Sequence, residues 1–159
     1  MKRLLCTATL TLALTSLVPA ARAYHNPSAY QNVTHFVHSG AHPNSARVPN
    51  ATHHFELKVA GNTISKLSIH LPEGIRISQG IEVTDDGGNK IDATISINDT
   101  NATIAFTQPV SPGTRLSIEM KGVKTPFYLA HDWLYHVFIT QVGMTAQIPI
   151  GTANIQTYN

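Results

Sequence analysis

An all-β fold, two antiparallel sheets packed face to face, is what this sequence predicts, and three observations predict it. Apolar and polar residues alternate with period two over most of the chain beyond Thr52. Thr, Ile and Val dominate the alternating runs. Turn residues separate those runs roughly every 8 to 13 positions, with no useful stretch of helical period after the N-terminal segment. The pattern is that of an immunoglobulin-like antiparallel β-sandwich of about 7 to 9 strands.

The elements follow in order. Met1-Lys2-Arg3 is a basic start, Leu4 to Val18 an apolar run, and Ala21-Arg22-Ala23 an A-x-A cleavage signal, so residues 1–23 read as a secretory signal peptide. Thr7, Thr9, Thr11, Thr15, Ser16 and Pro19 interrupt the run, whereas a membrane span needs about 20 predominantly apolar residues. The mature chain therefore has no transmembrane span and is expected to be periplasmic or extracellular. Cys6 leaves with the leader, so from Tyr24 onward there is no cysteine, and a single core must hold the fold without disulfides.

Residues 24–50 read as a His-rich irregular lead-in anchored by Val33, Phe36 and Val37, and residues 51–159 as the sandwich domain. Phe55, Leu57 and Val59 alternate with His54, Glu56 and Lys58; Leu67, Ile69 and Leu71 alternate with Lys66, Ser68 and His70. After Pro72-Glu73-Gly74 the run Ile75 to Val83 resumes with a bulge at Gln79-Gly80, and Asp86-Gly87 suits a hairpin to Ile91, Ala93, Ile95 and Ile97. Ile104 and Phe106, then Leu116, Ile118 and Met120, supply two more inward faces. Trp133 to Val142 is apolar on both faces and reads as a covered central strand; Gly151 to Tyr158 closes the domain. The expected core is Leu57, Leu67, Ile69, Ile95, Ile104, Phe106, Ile118, Trp133 and Val137.

Charge excludes one class of partner. Loss of Lys2, Arg3 and Arg22 takes the 11 Lys and Arg to eight, against nine Asp and Glu, and those eight are scattered. Duplex binding needs clustered cations, so nucleic acid is not an expected partner. The expectation is a monomeric or weakly associating module with an unidentified envelope partner or ligand.

The order Phe55-Glu56-Leu57, Leu71-Pro72-Glu73-Gly74, Ser111-Pro112-Gly113-Thr114, Gly122-Val123-Lys124-Thr125-Pro126 and Ile150 to Tyr158 resembles the secreted cyanobacterial family called domain of unknown function 2808. The resemblance covers the last two-thirds of the chain. It implies a small exported β-rich protein of a cyanobacterial envelope, and it brings no catalytic residues.

Nine His in a weakly charged chain are the unusual feature. His25, His35, His38, His42, His53 and His54 are candidate ligands for copper or zinc, because neutral imidazole suits both ions. His35, His38 and His42, at i, i+3 and i+7, would share one face if the segment were helical, but Gly40 and Pro43 oppose a stable helix there; His53 and His54 are adjacent in a strand, so at most one joins the cluster. His25, second in the mature chain, could chelate Cu²⁺ together with the α-amine. The bland alternative is a solvated arm with incidental His and no cofactor.

His131, Asp132 and His136 can be drawn as an acid–base set. The sequence contains no G-x-S-x-G elbow and no H-E-x-x-H, and the mature chain has no thiol, so a hydrolase is the least favoured reading and no catalytic residue is assigned. Asp85-Asp86-Gly87-Gly88-Asn89 lacks calcium-loop spacing and reads as a turn. The sequons at Asn32, Asn50, Asn98 and Asn101 read as turn chemistry.

Overall fold

In the computed structural model, which describes residues 32–126 and 131–159, the alternating runs become ten strands. They are β1 (His35–His42), β2 (Ala51–Lys58), β3 (Ile64–His70), β4 (Arg76–Ile77), β5 (Ile81–Thr84), β6 (Ala93–Ile97), β7 (Asn101–Val110), β8 (Arg115–Lys124), β9 (His131–Gln141) and β10 (Ile148–Thr157). No α-helix occurs among the described residues. One antiparallel sheet has the order β1-β2-β8-β4, with β5 also on β8, and the other β10-β9-β3-β7-β6. The expected all-β sandwich is the fold; the leader read at residues 1–23 lies outside the described residues.

Two differences raise the strand count above nine. Residues 35–42, read as irregular lead-in, form an edge strand on β2. Of its expected anchors only Phe36 turns inward, edge-to-face with Phe55 at 5.7 Å between ring centres; Val33 and Val37 are exposed. The run from Ile75 to Val83 splits in two because Ile77 pairs with Val123 but Ile81 with Met120, so four steps on one side match three on the other. That is the bulge expected at Gln79-Gly80, and Gly80 takes the positive φ of 86° that a side chain would resist.

The core forms where the two alternating faces meet. Phe55, Leu57, Leu116, Ile118 and Met120 of the first sheet are fully buried, as are Leu67, Ile69, Ile104, Tyr135, Val137 and Ile155 of the second. Of the expected core, only Ile95 is not buried, since β6 is an edge strand with β7 on one side alone. Trp133 lies in the core and donates its Nε1–H to Thr157 Oγ1 at 3.2 Å. On the outer face of β9, expected to lie under another segment, Leu134 is 47% exposed and His136 is exposed among the described residues. Phe138 there is half-buried and stacks on His70 at 4.5 Å.

The expected hairpin between Val83 and Ile91 is reduced to a link between sheets. The Asp85 carboxylate accepts the amide N–H groups of Gly87 and Asn89 at 2.9 and 2.8 Å, which shapes a wide turn. Thr84 and Lys90 bridge, and the chain then crosses so that β5 stays on β8 while β6 joins β7.

Because Trp133 fills the core with its one polar atom satisfied, Trp133→Ala is expected to cost about 3 to 5 kcal/mol. Urea unfolding of the purified variant measures this, and a loss below about 1 kcal/mol would contradict the packing described.

Candidate functional site

The candidate site is built on β1 and β2. In a regular strand His35 and His38 would point to opposite faces, an odd number of residues apart. The register breaks between Phe36 and His38, with Val37 the extra residue, and pairs His35 with Lys58, His38 with Glu56, Gly40 with His54 and His42 with Thr52. The bulge thus brings His35, His38 and His42 to the outer face of the first sheet, the face of His54. A helix is not what unites them.

These four imidazoles do not converge on one point. His35 donates its Nδ1–H to the Val33 carbonyl at 2.9 Å, at the far end of the strand. His42 lies at the other end, close enough to act on the charge of His54. His38 and His54 do meet, with ring centres 5.4 Å apart and planes tilted by 40°. Gly40 lies directly opposite His54 and leaves the space beneath both rings open. A Cβ there would stand 3.3 Å from His54 Cε1, 3.5 Å from His54 Nε2 and 3.7 Å from His38 Nε2. Among the described residues no three His, Cys, Asp or Glu side chains are grouped as a metal centre. His25 lies outside the described residues.

Charge at this face is mixed. Partial burial, then the neighbouring His38, lowers the pKa of His54 below the ordinary 6.5; Glu119 and Glu56 oppose the shift. Glu56 also pairs with Arg115 at 3.5 Å, and Lys121 bridges Glu82 and Glu119.

A cavity of about 240 Å³ opens beside the two rings, with His38, Gly40 and His54 on one side and Asn154, Gln156 and Tyr158 on the other. Its far wall comes from the opposite sheet because β1 and β10 meet at a seam. Ser39 donates Oγ–H to the Asn154 carbonyl at 2.7 Å. Beyond β1 the chain pairs in parallel with the end of β10: Ala46 donates to Tyr158 and Tyr158 to Asn44, at 2.7 and 2.8 Å. Sequence reading missed Gly40, whose register opposite His54 is set by strand pairing, and Asn154, Gln156 and Tyr158, since nothing local in the sequence links residues about 100 positions apart.

His53 has a different fate. It points into the core, fully buried, and its Nδ1 lies 2.7 Å from the Tyr135 hydroxyl of the facing sheet. It is therefore removed from the surface cluster in which it was a candidate. A hydroxyl proton donated to Nδ1 satisfies both groups and leaves the ring proton on Nε2, which has no partner among the described residues. Burial, and secondarily His54, lowers the His53 pKa to about 4; burial raises that of Tyr135.

The acid–base reading does not survive the geometry. His131 packs on inward-facing Trp133 at 4.6 Å, whereas Asp132 and His136 belong to the outward set of β9. Four residues of extended chain separate those two by about 13 Å, and His136 Nδ1 is taken up by the Thr152 hydroxyl at 2.9 Å.

The fold and site define a small antiparallel β-sandwich module with a mainly apolar interior and a polar, His-bearing edge. A family model described as "Protein of unknown function (DUF2808)" matches residues 28–152, and the chain belongs to that family. Similar solved structures include a collagen-binding domain from a Staphylococcus aureus adhesin, 10% identical, covering 79% of this chain and 97% of that one at a TM-score of 0.45. The collagen-binding subdomain of the Enterococcus faecalis surface protein ACE is 12% identical, with 78% and 96% covered and a TM-score of 0.46. The major pilin subunit BcpA of Bacillus cereus is 9% identical, with 70% and 35% covered and a TM-score of 0.46. Comparison with curated proteins returns no match.

The buried His53 gives the fold a defined acid response. Its pKa is about 4 folded and 6.5 unfolded, so the unfolded chain binds the proton more readily. Its contribution is full above pH 6.5 and is lost as pH falls towards 4, amounting to about 3 kcal/mol. Urea unfolding at pH 7.5 and pH 4 is expected to show that loss, and the double variant His53→Leu, Tyr135→Phe to lack it, since both polar partners are then removed together.

Proposed function

We propose that this protein is a non-catalytic module of the cell envelope, exported to the periplasm or beyond, that works by binding an envelope partner or ligand. The observation that supports this reading is that His131, Asp132 and His136 do not converge: the first two line one cavity at the start of β9, while His136 lies apart, bonded to the Thr152 hydroxyl. With His136 apart from the other two, polar side chains gather at the β1–β10 edge, where the sandwich has a cavity and not a buried cleft. The leader pattern at residues 1–23 supports export. No helix among the described residues is long and apolar enough to cross a membrane.

Expression in a Gram-negative host with a C-terminal tag tests the reading. The tagged chain is expected in the periplasmic fraction, with an intact mass that begins at Tyr24. A chain that retains Met1 and stays in the cytoplasmic or membrane fraction would overturn it.

A further inference from the structure

We propose that His38 and His54 form a two-imidazole site for a divalent transition-metal ion, Cu²⁺ or Zn²⁺, seated above Gly40 on the outer face of the first sheet. The spacing is the first argument. An imidazole bound through a ring nitrogen at about 2.0 to 2.1 Å holds its ring centre about 3.2 Å from the ion. Two such rings with centres 5.4 Å apart then subtend about 115° at the ion, near the tetrahedral angle.

The direction of the rings is the second. The Nε2 atoms of His38 and His54 both lie within 4 Å of the one point that a Gly40 Cβ would take. Gly40, directly opposite His54 in register, is the residue whose lack of a side chain leaves that volume free. Third, the polar residues Asn154, Gln156 and Tyr158 line the same cavity, the last two joined by a 2.7 Å bond from the Tyr158 hydroxyl to Gln156 Oε1, and water can complete the coordination.

Two protein imidazoles make an open site, unlike the closed four-ligand set of a structural zinc centre. Such a site exchanges its ion, and at equal geometry it prefers Cu²⁺ to Zn²⁺. His35 and His53 take no part, the first being engaged with the Val33 carbonyl and the second buried on the other side of the sheet. The inference does not depend on export: it fails or stands on metal affinity alone.

Calorimetric titration of the purified chain with CuCl₂, and separately with ZnCl₂, near pH 7.5 tests it, together with the electron paramagnetic resonance spectrum of the copper form. The expected result is one Cu²⁺ bound at this site with two nitrogen ligands, and tighter than Zn²⁺. His38→Gln and His54→Gln are each expected to weaken copper binding at least tenfold and to remove one nitrogen from the spectrum. Gly40→Val keeps both imidazoles and suits a strand while filling the space beneath them. It reads the geometry even where a His substitution disturbs the edge strand, and is expected to weaken binding likewise. Copper held at the N-terminus by His25 is unaffected by all three variants and so cannot mimic this result. Binding weaker than about 10 μM, or affinity equal to the parent's in all three variants, overturns the proposal.

Discussion

The register of β2 is the constraint on which the rest of the structure depends. Its eight residues alternate without a break between buried and half-buried, with Phe55 and Leu57 sent into the core and His54, Glu56 and Lys58 kept at the surface. A slip of one residue would exchange the two sets and place three charged or titratable groups among aliphatic side chains. Both neighbours hold the register, β1 through seven paired positions and β8 through another seven. The core, the fate of the two adjacent histidines and the outward direction of His54 all follow from that alternation.

Where period two governs, the sequence was legible. Faces assigned for β2, β3, β7 and β8 are the faces observed, because alternation carries the inward direction in the residues themselves. It was illegible where a single residue changes the period or where burial depends on position within a sheet. Val37 is such a residue: a bulge adds no distinctive composition, yet it turns His38 to the face of His35. Ile95 and Leu134 are the second case. Their apolar character is as strong as that of their buried neighbours, but one sits on an edge strand and the other on an open outer face. The candidate site was half visible, since His38 and His54 stood out by type, while Gly40 and the β10 wall are set by tertiary pairing.

The seam between β1 and β10 explains why a site forms at this edge. Edge strands carry unpaired backbone groups that invite association with other chains. Here Asn44, Ser45 and Ala46 run alongside Tyr158, and the Ser39 hydroxyl reaches the Asn154 carbonyl, so both edges are partly satisfied by one another. Closing the seam carries the outer surface of one sheet onto that of the other. A concave strip results, and polar groups can line it without the desolvation cost that an interior position imposes.

The same strand thus gives adjacent histidines opposite chemistry and also couples them. His53 is neutral because burial penalises its charged form, and a positive charge on His54 adds to that penalty. As pH falls, His54 is the easier of the two to protonate, being only partly buried and flanked by Glu56 and Glu119. Its proton then makes the His53 proton harder to bind, which spreads the two titrations apart. The charge of His54 thus reaches the buried ring of His53, and the surface and the core of this sandwich are coupled through a single strand.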